Sequence, residues 1–463
     1  MKTRLIYFFA LSVAAVFITL AVYNNRSNAQ GQVGGGAPGG VEIDTSGVLR
    51  MRYHADPRGM LTKRRLEEAK ASLSADIAKP SKLRKVSLTR LEAAVARQIA
   101  AGGGIPDDMK YLAGLTRIQY VFYYPETKDI VIAGPAEGYF HDLSGRVVGT
   151  VSGRSVLELE DLVTALRMYS PDGRRGTVIS CSIDPTQEGL AKMQEFLRQI
   201  GGRALPMHTK HIVEGLRTSL GMQTVTLKGV PAKTHFAQVL VEADYRMKLI
   251  GIGLERPAVK ITSYVDRASP AAVSRNALQR WYFVPNYECV RVSEDETAME
   301  LVGDGVKLIG KDEMVTAGGG LVRGTTVDRA SQAFVTGFTA KYGALAQKAP
   351  VFAQLRNLID MSVAAAYIQD RDLFAKAEWK MPIFGDEKTF PVEVHETPKQ
   401  VETAVNAIWK GQTLMTPIGG GVNIQPRQAL SGSNLLSDED GEVAKTRAGI
   451  DIRSIPADKW WWD

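Results

Sequence analysis

Cysteine is nearly absent, with only Cys181 and Cys289 in 463 residues, so the fold cannot depend on a disulfide framework. Beyond residue 22 there is no run of 18 apolar residues, so nothing downstream is expected to span a membrane as an apolar helix. Neither a phosphate-binding G-x-x-x-x-G-K-[ST] nor a zinc-binding H-E-x-x-H occurs, and the six histidines are scattered. An excess of one charge is also small, 57 Lys+Arg against 50 Asp+Glu. With 44% hydrophobic and 23% charged residues, the composition excludes wholesale disorder, collagen and a polytopic membrane protein. At roughly 100 to 200 residues per domain, the length allows two to four domains.

The charge is concentrated: residues 50–99 carry 13 Lys/Arg and 5 Asp/Glu. Upstream, Lys2 and Arg4 precede an apolar run, Leu5 to Val22, and Ser27-Asn28-Ala29 offers a small-residue cut before Gln30. This pattern predicts a signal peptide over 1–29, with a single-pass anchor as the alternative if the leader is kept. Either way the body is expected to be extracytoplasmic: periplasmic, in the cell envelope or secreted. A Gly-rich linker follows over 30–47.

Periodicity and caps predict a multi-domain α+β protein. A basic helical segment over 48–105 holds one helix from Asp56-Pro57 and another capped by Thr89 and Glu92. Residues 106–221 read as an α/β unit, with a hairpin pairing 118–124 with 129–133 and a helix capped at Asp184-Pro185. Residues 222–320 read as α+β, with a helix from Thr234, a strand over Val259–Val265 and a hairpin turning at Asp304-Gly305. Residues 321–424 read as mainly helical: Phe334, Phe338 and Tyr342 share one helix, Pro350 opens a core helix, and Thr397 caps a third through Val401, Val405 and Ile408. An irregular tail, 425–463, ends in Trp460-Trp461-Trp462.

Several strings resemble a family of uncharacterised secreted proteins of planctomycete bacteria, a domain of unknown function: Ile130–Phe140 (IVIAGPAEGYF), Cys181–Gly189 (CSIDPTQEG) and Val241–Glu255 (VEADYRMKLIGIGLE), with RWYFVP at Arg280–Pro285 and LRNLIDMSVAA at Leu355–Ala365. The resemblance implies a compartment and a shared fold. It carries over no catalytic residue.

The chemical candidates are sparse. The loop Gly134–Gly138 follows a strand, as phosphate loops do, but Pro135 has no N–H to offer and no Lys-Ser/Thr follows, so it reads as a turn with Glu137 facing solvent. Glu137 with His141 and Asp142 would suit acid–base work if they converged. His208, His211 and Glu214 stand on one side of a helix as candidate metal ligands, without a firm ligand spacing, so neither metal nor cofactor is expected. Cys181 reads as a core thiol, as half of a disulfide with Cys289, or as a nucleophile near a helix start. Trp460, Trp461 and Trp462 either dock on their own domain or anchor a partner. The leading reading is a non-catalytic binding or structural module with a protein or envelope-surface partner, and no nucleic acid. It meets the membrane only through an uncleaved leader or the basic arm. The alternative is an extracytoplasmic hydrolase with a Glu/His or Cys-containing cleft.

Overall fold

The computed structural model describes residues 37–173, 178–201, 205–270, 278–286, 289–311, 313–315, 321–323, 328–410, 413–415, 418–419 and 422–463. The leader 1–29 and the glycines at 318–320 lie outside them. The chain is of mixed α+β class and multi-domain, built on two large sheets. Across one, the strands run Ala37–Ile43, Val48–His54, Gln400–Glu402, Met222–Lys228, Ile179–Pro185, Val422–Ile424, Leu278–Pro285 and Val306–Lys311. Across the other they run Leu435–Ser437, Val290–Val292, Ala298–Leu301, Tyr120–Tyr124, Asp129–Ala136, Ser81–Ser87 and Trp461–Trp462. Both sheets draw strands from distant parts of the chain.

Local signals hold where one face of an element is clearly apolar. The hairpin pairs Tyr124 with Asp129. Pro350 sits in the first turn of the helix Pro350–Asp370, where its missing N–H costs nothing, and Phe352, Leu355, Ile359, Val363 and Ala366 are all buried. This helix packs on the helices Leu159–Met168, His235–Gly251 and Tyr342–Lys348. Thr234 caps His235–Gly251 by accepting from the Ala237 N–H, and Phe236, Val239, Ala243 and Met247 point into the core.

Elsewhere tertiary pairing overrides local pattern. The basic segment is not a helical arm alone: its Val48–His54 enters one sheet and its Ser81–Ser87 the other. Ser87, not Thr89, caps the helix Leu88–Ala100; Glu92 is buried and accepts from Trp379 Nε1 and the Ile383 and Phe384 N–H groups. Part of the expected linker is a strand, Ala37–Ile43. The strand Ile179–Pro185 extends over Asp184, which pairs with Arg280, and the next helix starts two residues later on a Thr186 cap. No strand forms over 259–265; Ser263 and Asp266 instead make a capping box for a short helix, Tyr264–Arg267. The helix expected after Thr397 is replaced by strands Gln400–Glu402 and Ile408–Lys410. At Asp304-Gly305 the chain does turn, but no hairpin results: Ala298–Leu301 belongs to one sheet and Val306–Lys311 to the other, and the positive φ falls on Gly303 and Gly305. The tail is not irregular throughout, since it supplies helices Pro426–Ala429 and Glu442–Ala448 and the edge strand Trp461–Trp462.

Candidate functional site

A cleft of about 330 Å³ opens where the start of the helix Leu159–Met168, the start of His235–Gly251, the turn joining strands Tyr139–His141 and Val147–Gly149, and the segment 391–396 meet. Glu158 occupies the cap position of the first helix and Glu160 and Asp161 its first turn, where the positive end of the helix dipole favours carboxylates. His235 is the first residue of the second helix. Glu393 and His395 lie two apart in a segment without regular secondary structure, and the His395 N–H donates to the Lys233 carbonyl.

His235 is held from both sides of its ring. Nδ1 lies 2.8 Å from Asp161 Oδ2 and 3.7 Å from Glu158, while Nε2 lies 3.2 Å from Gln354 Nε2. Gln354 Oε1 in turn accepts from Arg146 Nε at 2.8 Å. Arginine has only donors, so the Gln354 amide cannot turn over, and its NH₂ must face the imidazole. On the Nε2 side a proton on His235 meets a donor, while on the Nδ1 side it meets two carboxylates. Burial opposes the cation, but the Asp161 and Glu158 carboxylates outweigh it and take the His235 pKa to about 10.

The Glu158 carboxylate makes no hydrogen bond among the described residues. Burial raises its pKa to about 7; attraction to His235 holds the rise back, and the Asp161 and Glu160 carboxylates add to it. Because its folded pKa exceeds the unfolded 4.5, the folded state binds the extra proton between about pH 4.5 and 7, and stability falls as pH rises through that window. Glu158→Gln mimics the protonated form and should be neutral near pH 4. At pH 8 it should stabilise by on the order of 2 to 3 kcal/mol. Urea midpoints at the two pH values check this; equal midpoint differences at both would show that the carboxyl titrates normally.

Beside this network Glu160, Glu393 and His395 point donor atoms at one another within 4.8 Å, as do Glu158, Asp161 and His235. The Glu160 carboxylate accepts the Glu393 N–H, and burial raises its pKa. Neither ring nitrogen of His395 makes a hydrogen bond among the described residues. Burial, then repulsion from His235, lowers its pKa.

Of the sequence candidates only His141 lines the cleft, its ring 5.6 Å from Tyr111 in an edge contact. Glu137 is not solvent-facing: it is buried and accepts from the Val151 and Ser152 N–H groups at 2.6 and 2.9 Å and from the Ser152 hydroxyl. The expected turn at Gly134–Gly138 is in large part strand, since Asp129–Ala136 runs through Pro135; Gly134 is there because a Cβ would lie 2.1 Å from the Arg117 carbonyl oxygen. Asp142 closes a tight turn by accepting from the Ser144 and Arg146 N–H groups. Cys181 lies mid-strand, fully buried, and burial pushes its thiol pKa well up, so the environment favours the thiol over the thiolate that a nucleophile needs. Cys181 and Cys289 are both free thiols: Cys181 belongs to a strand of one sheet, and Cys289 directly precedes a strand of the other. His208, His211 and Glu214 are exposed and do not converge; His211 packs on Phe196 and Glu214 pairs with Arg217. Trp460 and Trp462 are buried on the chain's own sheet.

A family model described as a protein of unknown function (DUF1598) matches residues 181–264. The matched stretch contains two of the resembling strings, Cys181–Gly189 and Val241–Glu255, together with His235. No curated protein and no solved structure matches the chain.

Proposed function

We propose that this chain is an extracytoplasmic binding protein, secreted or held in the cell envelope, that takes a small cation or a cationic group into the cleft. One observation carries the binding reading: the cleft's cations are already neutralised and some of its anions are not. Arg146 is bound to Glu242, Gln354 and Ser144, and Lys110 pairs with Asp107. Among the described residues the Glu393 carboxylate has no hydrogen-bond partner, and the Glu158 carboxylate meets only His235 Nδ1, at 3.7 Å and shared with Asp161. A ligand entering here completes the charge balance only if it brings positive charge.

The compartment is supported by the leader pattern at Lys2 to Ala29 and by the resemblance to secreted planctomycete proteins. An anionic envelope surface would suit the helix Met60–Ser72, which buries none of its residues and exposes Lys63, Arg64 and Lys70 beside Met60 and Leu61. Among the described residues no helix is long and apolar enough to cross a membrane. The hydrolase reading keeps one observation in its favour, a carboxyl with a pKa of about 7 beside an Asp161–His235 pair. Turnover of a chromogenic ester or glycoside, lost in Glu158→Gln, would place it first.

Thermal-shift titration tests the binding reading. Putrescine should raise the melting temperature at low salt, glutarate should not, and the effect should vanish in the double variant Glu158→Gln, Glu393→Gln. Stabilisation by glutarate but not putrescine would reverse the assigned polarity.

A further inference from the structure

We propose that the cleft's mouth is a divalent metal site, in which Glu160, Glu393 and His395 hold one ion of the zinc type. This rests on the reading of the cleft as cation-binding and names the cation.

The two clusters in the cleft are not equivalent. In Glu158, Asp161 and His235, the nitrogen nearest the carboxylates is His235 Nδ1. A metal there would displace the Nδ1 proton, and neutral imidazole would then carry its proton on Nε2. That position faces the Gln354 NH₂ at 3.2 Å, and Gln354 is locked by Arg146. A ligating histidine needs an acceptor behind it, and this one has a donor. The first cluster is thus a closed hydrogen-bond network.

The second cluster has the opposite character. No hydrogen bond occupies either ring nitrogen of His395 or the Glu393 carboxylate among the described residues, and the segment is open to solvent, with Glu393 exposed and Glu160 and His395 half-buried. Two carboxylates and an imidazole lie within 4.8 Å of one another; the Glu160 and Glu393 carboxylates repel each other, with Asp161 adding to the repulsion and His235 only partly offsetting it, and Lys110, which also lines the cleft, already pairs with Asp107. The Glu393 N–H bonded to the Glu160 carboxylate ties the two chain segments together, so both sides of the site are pre-placed. Ligand atoms in a tetrahedral zinc shell stand about 3.4 Å apart, given metal–ligand bonds of roughly 2.1 Å. Closing from 4.8 Å needs only rotamer adjustment of two flexible glutamates. Two oxygens and one nitrogen leave a coordination position open, and at equal geometry such a set prefers Zn²⁺ over Mn²⁺.

The test is calorimetric titration of the chelator-stripped full chain with Zn²⁺, Mn²⁺ and Mg²⁺. One Zn²⁺ per chain should bind, more tightly than Mn²⁺, with little response to Mg²⁺. His395→Ala and Glu393→Gln should each weaken zinc at least tenfold, and His208→Ala with His211→Ala should leave it unchanged. Co²⁺ bound to the unmodified chain should show visible bands of a low-coordinate oxygen and nitrogen site, a readout independent of whether any variant folds. Absence of stoichiometric zinc, or zinc lost on His235→Asn but kept in His395→Ala, overturns the assignment. Putrescine binding without zinc binding removes the metal and leaves the cation cleft standing, whereas loss of both removes the two together.

Discussion

Removing Lys459–Asp463 should lower the stability of the isolated chain by at least about 5 kcal/mol, a sizeable part of the total for a folded domain. The segment is an edge strand: Trp461 pairs with Val86 and Trp462 with Lys85, and the Ser87 N–H donates to the Trp460 carbonyl. Trp460 and Trp462 are buried, and truncating one buried tryptophan costs roughly 3 to 5 kcal/mol. A second loss is electrostatic. Arg84 is fully buried, with its guanidinium 4.6 Å from the Trp461 ring and donating to the Asp463 carboxylate at 2.8 Å. Its other bonds run to carbonyls of Ile77, Ala113, Asp76 and Lys79, so without Asp463 no carboxylate offsets its charge. Urea denaturation measures the effect. Unchanged stability would mean that the tryptophans contribute nothing to their own sheet, and loss of an envelope partner in that case would make them an anchor.

Asp360→Ala should cost about 3 to 5 kcal/mol, the usual range when one partner of a buried ion pair is removed. Asp360 projects from the helix Pro350–Asp370 and accepts from Arg117 Nε at 2.8 Å. Arg117 also donates to the Gly303 carbonyl at 2.5 Å, in the turn that carries the chain from one sheet to the other. Arg356 is buried nearby, its pKa lowered by burial and by Arg117. Asp360 is thus the counter-charge for two guanidinium groups, and its removal leaves both unbalanced in the core. Arg117→Gln in the same chain should recover part of the loss, because it withdraws one of the orphaned charges. A double variant as unstable as the sum of the two singles would show that the residues do not interact.

What the sequence made legible was set by how far each signal reaches. The helix Pro350–Asp370 could be read because its proline, its length and its apolar spacing agree. The hairpin from Tyr120 to Ala136 could be read because both strands are β-branched or aromatic and close in sequence. Ser81–Ser87 reads SKLRKVS and carries three cations, so its place between two strands depends on neighbours at 129–136 and 461–462 that no local pattern encodes. Val401, Val405 and Ile408 fit a helical period by coincidence of spacing, and pairing with Val48–His54 and Met222–Lys228 overrides it.

The cleft was legible only at His141. Its working residues lie at 158, 160, 161, 235, 393 and 395, so their convergence is tertiary and no motif spacing could show it. Two weak local signals were present: an acidic run, Glu158 to Asp161, opening a helix, and a carboxylate and an imidazole two residues apart in Glu393-Val394-His395. Glu137 misled because an exposed loop and a buried loop anchor look alike in sequence; the difference lies in the Val151 and Ser152 N–H groups that receive its carboxylate.

Six histidines in the whole chain make the imidazole resonances a direct reading of where a cation binds. Histidine-selective nuclear magnetic resonance of the full chain, titrated first with putrescine and then with Zn²⁺, should move His395 in both steps and leave His208 and His211 unmoved. A response confined to His208 and His211, or none at any histidine, would contradict the assignment of this cleft as the binding site.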